Sequence, residues 1–389
     1  MQLRRLLSLF FLCLFCTFTL SAHPKLPVDV SILIADLKYS AAEGVKICEV
    51  QQGVLSIFRG QQVGLPHTSG NRILPGQDGK IISNIYQFLT QFPGPYFLTL
   101  TNESQWGRTA TQHHPEWRLF TNLLTLEKDP EFVARGTLMP KDPHNLFDYS
   151  GILLCNQQHI SNCAAFHSHY PGFILVDEAS RKYWADKYKM SCLFSKNETL
   201  SHFKPKWKAY PKEYHKKLAN QIIQEIGGDR FVIKPIGAFL GDGVIIVDAQ
   251  HLNETLKYIL NKSNKLKKDK DHSYNHWFHD QERVFIVEKF ASSDPISVPH
   301  LGGKLYEPTI RVAFILYYTN QTIHLEFCGA FYRLPKLSIT EPGTLNEKYK
   351  DCSDKSYFAE IDPEVREKVQ NELRVALPLL YDQMLEDTH

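Results

Sequence analysis

The stretch FVIKPIGAFLGDGVIIVD, residues 231–248, sets two β-branched runs around a glycine-rich turn, with Lys234 inside the first run. Runs of this length and composition predict a strand, a turn holding Gly237, Gly241 and Gly243, and a second strand. An ammonium set in an apolar strand needs an anion, because burying it alone is costly. Glycines beside it let backbone N–H groups approach a polyphosphate without side chains in the way. The combination suggests a hairpin that covers phosphates, although a plain β-turn also accounts for the glycines. It is not the G-x-x-x-x-G-K-[ST] loop, which needs its lysine directly after the last glycine.

Outward from this hairpin the pattern is strand, turn, strand, helix, strand. QHLNETLKYIL, residues 250–260, places Leu252, Leu256, Ile259 and Leu260 on one helical face, and ERVFIVEKF at 282–290 reads as the next strand. Between them KSNKLKKDKDHSYNHWFHD, residues 262–280, reads as a solvated, mobile loop; its lysines and its His272, His276 and His279 carry no fixed geometry for phosphate or metal. Upstream, a helix with Leu218, Ile222 and Ile226 in step stops at Gly227 and Gly228. Downstream come TIRVAFILYY and TIHLEFCGAFYRL, and then a last helix with Asp362 as cap and Pro363 at its first position. Nearer the amino end, VSILIADL from Val30, EVQQGVLSIFRG, YFLTLT, GILLC and GFILV read as strands with helical stretches between them, the mark of an α/β domain.

The whole chain has 389 residues, 43% hydrophobic and 22% charged, with 21 Gly and 21 Pro, which excludes disordered and collagen-like classes and suits two or three domains. A formal net charge of +2 gives no global field to hold a polyanion, so nucleic acid is not an expected partner. Residues 1–22 order Arg4 and Arg5, an apolar run and then small residues, the layout of a secretory signal. Its removal leaves no further long apolar run, so a secreted or periplasmic protein without a stable membrane span is expected. Six cysteines follow the signal, with Cys155 and Cys163 the nearest pair; disulfides and buried thiols are equally compatible with their spacing.

Taken together, these motifs resemble the ATP-grasp superfamily of carboxylate ligases. ADKYK offers Lys187 after Asp186, FVIKP offers Lys234, GAFLGDGV offers the glycine flap, and VFIVEKF offers Glu288, Lys289 and Phe290, in the family's order. The resemblance implies that Lys187 and Lys234 contact ATP phosphates, and that Gly237, Gly241 and Gly243 close over them. It further implies that Glu288 takes the adenine amino group, that the main chain of Lys289 and Phe290 takes the ring edge, and that Asp294 takes a ribose hydroxyl. Arg311 and Arg333 fall on successive strands where the family holds the transferring phosphate, a task suited to a planar guanidinium fork. GTLNEK is similar to the family's substrate-side loop.

The expected fold class is therefore α/β (α+β): an amino-terminal α/β domain over 23–180, then an ATP-grasp-like pair of domains with mixed sheets over 181–389. The implied activity is an ATP- and Mg²⁺-dependent ligase that activates a carboxylate for attack by an amine or thiol. One departure bears on it. The family follows its last helix with two strands that present an acid and then a Glu-x-Asn pair to magnesium, whereas here only YDQMLEDTH remains. That tail is too short for two paired strands. Glu326 and Asn346 are then the expected metal ligands, with an exported nucleotide-binding relative lacking ligase chemistry as the alternative.

Overall fold

A computed structural model describes residues 26–53, 80–99, 117–155, 160, 162–184, 186–238, 241–261, 263–352 and 357–387. The expected signal at 1–22 and part of EVQQGVLSIFRG lie outside these residues.

The chain opens with β1 (Asp29–Ser40) and β2 (Gly44–Gln52), followed by β3 (Tyr96–Thr99), β4 (Trp117–Phe120), β5 (Gly151–Cys155) and β6 (Phe173–Leu175). Then come β7 (Trp207–Pro211), β8 (Arg230–Pro235), β9 (Ile245–Asp248) and β10 (Val284–Lys289). The last group is β11 (Ile296–Val298), β12 (Lys304–Tyr306), β13 (Thr309–Thr319), β14 (Thr322–Arg333) and β15 (Phe358–Glu360). Three larger sheets result: an antiparallel one in the order β15-β14-β13-β1-β2, an antiparallel one in the order β7-β10-β8-β9, and a parallel one in the order β4-β3-β5-β6. The class is mixed α/β.

The topology departs from the expected boundary at 180. Strands β1 and β2 do not join the parallel sheet; β1 pairs with β13 and β2 with β1, so residues 29–52 belong to the same sheet as residues 309–333. All twelve residues of β1 are buried, as a central strand covered on both faces must be. Leu33, Ala35, Leu37 and Tyr39 face the core built on the helix Pro363–Glu386. Val30, Ile32 and Ile34 face the helix Lys80–Leu89 and the parallel sheet. Each fully buried Ile or Leu here contributes about 2 kcal/mol, which fixes β1 in register against strands far away in sequence.

The segment expected as a mobile loop is ordered in part: it forms the helices Asn264–Lys267 and His272–His279. Trp277 is the reason, since its ring is 1% exposed in the core under β8, β9 and β10 and anchors the second helix. Among the described residues no group of three or more His, Cys, Asp or Glu could hold a metal, and no helix is long and apolar enough to cross a membrane. Cys48, Cys163, Cys192 and Cys328 are free thiols, so Cys155 and Cys163 are not bonded to each other.

Candidate functional site

The face of β1 that is apolar from Val30 to Ile34 turns ionic at Asp36 and Lys38, both buried. Asp36 stands in direct cross-strand register with Arg311 of β13 on one side and Glu49 of β2 on the other. Arg311 donates to both carboxylate oxygens of Asp36, and Arg333 lies 3.8 Å from it while pairing at 2.6 Å with Asp351. The amide of Gln51 donates to Asp36 at 3.1 Å and to Glu49 at 3.0 Å. Burial works against the charge of Asp36, but Arg311, with Arg333 and Lys234 behind it, outweighs burial and holds the carboxyl below the usual range.

A β-bulge brings the second sheet to this row. Against β1, Asp36 pairs with Glu49 and Leu37 with Ile47, so Cys48 is the extra residue of β2. A bulge residue is left out of the ladder, and the Cys48 carbonyl instead accepts from two ammoniums, Lys204 at 3.1 Å and Lys234 at 3.2 Å. Both lysines also grip Glu288, at 2.6 Å each, and all three side chains are nearly excluded from solvent. Lys234 and Glu288 meet because β8 and β10 are neighbours with Lys234 opposite Ile286, two residues from Glu288 on the same face. Burial opposes ionisation of Glu288, yet the two lysines together outweigh it and lower its pKa. Burial lowers Lys204, whereas Lys234 is raised because Glu288, Cys48 and Glu49 jointly outweigh burial.

Lys187 opens the helix Lys187–Ser195, capped by Asp186, and its ammonium reaches the Ala238 carbonyl in the flap and Glu49 at 3.0 Å. Lys187 and Lys234 therefore come together at adjacent residues of β2. The flap is pinned at its far side: Gly243 has φ +70° and its carbonyl accepts from the Trp277 indole at 2.8 Å, while Gly241 has φ +76°. Gly237 has neither a positive φ nor a close neighbour.

The expected adenine contacts are already committed in part. The N–H of Lys289 donates to Lys206 at 2.7 Å, that of Phe290 donates to Arg230 at 3.0 Å, and the Glu288 carboxylate holds the lysines. Beside this turn lies a cavity of about 460 Å³, lined by Lys204, Pro205, Gly227, Lys289, Phe290 and Ala291 among others. The Asp294 carboxylate accepts from Ala41 N–H at 2.7 Å, tying the β1–β2 turn to the connection between β10 and β11. Glu307 has one buried oxygen with no hydrogen-bond partner among the described residues, and burial raises its pKa against the pull of Lys38 and Arg230.

The two expected metal ligands are used elsewhere. The Asn346 side-chain oxygen accepts from Ile246 N–H at 2.7 Å and fastens the helix Leu345–Tyr349 to the edge of β9. Glu326 pairs across from Ile315, four residues along β13 from Arg311 or about 13 Å, and its carboxylate accepts from Tyr317. Asp387 at the tail takes Lys196 and the Tyr183 hydroxyl. The residues that sequence reasoning missed are Asp36, Lys38, Glu49, Gln51, Lys204 and Glu307. A signal for three of them was present: an acid followed by Glu-x-amide, Asp36 and then Glu49-Val50-Gln51, stands at the amino end rather than after the last helix.

No family model matches the chain, and no curated protein matches it in sequence. Among solved structures it is similar to D-alanyl-alanine synthetase A from Vibrio cholerae, at 9% identity and TM-score 0.32, over 73% of this chain and 80% of that one. It is also similar to the D-alanine-D-alanine ligase from Coxiella burnetii, at 9% identity and TM-score 0.30, over 75% and 94% of the two chains. Overlays at that level carry no argument about chemistry, which rests on the side chains described above.

Proposed function

We propose that the protein binds ATP with Mg²⁺ and transfers its terminal phosphoryl group to a substrate carboxylate, leaving ADP, and that an amine or thiol then attacks the acyl phosphate and displaces inorganic phosphate. The observation that carries this reading is the row Arg311–Asp36–Glu49 across three neighbouring strands, met by Lys187 from the start of a helix and Lys234 from a second sheet. Cations from two sheets around a pair of carboxylates suit a polyphosphate bound through a divalent metal.

Asp36 and Glu49 fit Mg²⁺ by their chemistry, since carboxylates are hard oxygen donors and Mg²⁺ completes its shell with phosphate oxygens and water, while the Gln51 amide, which donates to both, would hold them in place. Bound there, the ion would neutralise charge on the phosphates. The two strands expected after the last helix are on this reading supplied by β1 and β2, a circular permutation of the sheet. This meets the shortage of acids that favoured a relative without ligase chemistry.

The remaining roles belong to the chain itself. Lys187 and Lys234 hold phosphate oxygens, Lys187 from beside the flap and Lys234 from β8. Arg311 and Arg333 stand where negative charge develops on the group in transfer, Arg333 keeping Asp351 as its anchor. The glycine turn, with Gly237, Gly241 and Gly243, excludes water, which protects an acyl phosphate from hydrolysis. Glu307, with its bare oxygen, accepts a ribose hydroxyl.

Thermal unfolding with and without MgATP tests the binding step, because a ligand that binds only the folded protein raises its Tm. Lys234→Ala leaves Glu288 paired with Lys204, so the fold survives and the ATP-induced shift disappears. No shift in the unaltered protein overturns the ATP reading. Phosphate release that requires both an added acid and an added amine or thiol tests the ligase step.

A further inference from the structure

Two ammoniums on one carboxylate leave a buried group with an excess positive charge. Lys204 and Lys234 each lie 2.6 Å from Glu288, and all three side chains are at most 9% exposed. Both lysines share the second acceptor as well, the bulged Cys48 carbonyl. If Lys234 moves to a phosphate, Glu288 loses one partner; without Lys204 it would be left as a buried, unpaired anion, which is strongly unfavourable. That penalty would be subtracted from the binding of any anion that recruits Lys234.

We propose that Lys204 is a positioning residue: it keeps Glu288 paired, so that Lys234 passes from this carboxylate to an incoming nucleotide phosphate without stranding the glutamate. The proposal rests on the ATP reading above and adds to it a residue outside the lysine pair that carries the family resemblance. Lys204 then acts through Glu288 and not through the nucleotide. Its effect depends on Glu288 being an anion, which a purely structural role or a direct phosphate contact would not require. Lys204 lies three residues before Trp207, where β7 begins, so its backbone is held close to the strand next to β10.

The test is calorimetric titration of the full mature chain with MgATP. Lys204→Met weakens binding by about tenfold or more, the effect of one charged hydrogen bond, because Glu288 now retains Lys234. Lys204→Arg stays within about threefold of the unaltered protein, since a cation remains. The decisive variant is Lys204→Met with Glu288→Gln, which removes the competing charge and returns affinity to within about threefold. The proposal is overturned if Lys204→Met leaves affinity unchanged, or if the double variant binds as weakly as the single one. Thermal unfolding checks the fold of each variant; Lys204→Met leaves Glu288 its ion pair with Lys234, so a folded protein is expected. Should Lys204→Met not fold, the Lys204→Arg and Lys204→Gln pair carries the same comparison. Loss of binding by Lys234→Ala with no effect at Lys204 overturns this proposal alone, whereas no MgATP binding by the unaltered protein overturns the ATP reading and the proposal with it.

Discussion

Arg311 on β13 donates to both carboxylate oxygens of Asp36 on β1, from Nε at 2.7 Å and Nη2 at 2.6 Å, although 275 positions separate the two residues. The pair joins the amino-terminal strand to the carboxyl-terminal half of the chain. It also sets the row that Glu49 extends, so both stability and the proposed chemistry depend on it.

Removing the anion leaves the buried Arg311 guanidinium without its partner, while Arg333 keeps Asp351. Asp36→Ala lowers stability by about 3 kcal/mol, the usual consequence of breaking a buried pair from one side. Urea unfolding measures it; a loss below about 1 kcal/mol would show that Arg311 finds another partner.

Glu49 is less buried than Asp36, with a side chain 24% exposed, and its partner Lys187 keeps the Ala238 carbonyl. Glu49→Gln therefore changes stability by less than about 1 kcal/mol. Its expected effect is on the metal: the Mg²⁺ concentration at half-maximal ATP binding rises by about tenfold. An unchanged Mg²⁺ titration contradicts the assignment of Glu49 as a donor.

Stability responds to pH through a second buried network. Asp29 accepts from the Tyr381 hydroxyl, Ser31 and Ala179 N–H, while Asp177 accepts from Ile32 N–H and Gln52. Burial, offset in part by these donors, raises Asp29 to about 7 and Asp177 to about 6, both from 3.8. The folded chain thus binds protons that the unfolded chain releases above pH 4, and stability falls as pH rises from 4 to 7. Between pH 7.5 and 5 the two acids add on the order of 3 kcal/mol of stability, with His276, lowered by burial, acting weakly in the opposite sense. Asp29→Asn flattens most of that dependence. Equal unfolding midpoints at pH 5 and pH 7.5 in the unaltered protein would contradict it.

The three flap glycines are not equivalent. A Cβ on Gly243 would lie 2.6 Å from Pro235 Cγ and 2.8 Å from the His276 ring, at a φ of +70°. Gly243→Ala costs about 2 kcal/mol, from the left-handed backbone and the overlap together. Gly237 has only Glu282 nearby, at 3.9 Å, so Gly237→Ala is tolerated. Thermal melts of the two variants separate them.

Local chemistry was readable in the residues themselves. The glycine hairpin, the lysine inside FVIKP, the arginines on two successive strands and the capped last helix all appear where patterning put them, because each depends on neighbours within a few positions. Trp277 was hidden inside a lysine- and histidine-rich stretch, where composition outweighed the aromatic rings of Tyr274, Trp277 and Phe278 that tie it to the core.

The sequence by itself determined most element types, the mixed α/β class and the places in the chain of Lys187, Lys234, Arg311 and Arg333, since side-chain period and turn chemistry are short-range properties. Only the tertiary structure decided that β1 sits between β13 and β2, that Asp36 and Glu49 flank one another next to Arg311, and that Lys204 shares Glu288 with Lys234. Those pairings follow from burying both faces of β1 between two cores. Hydrophobic burial is indifferent to where along the chain its partners lie.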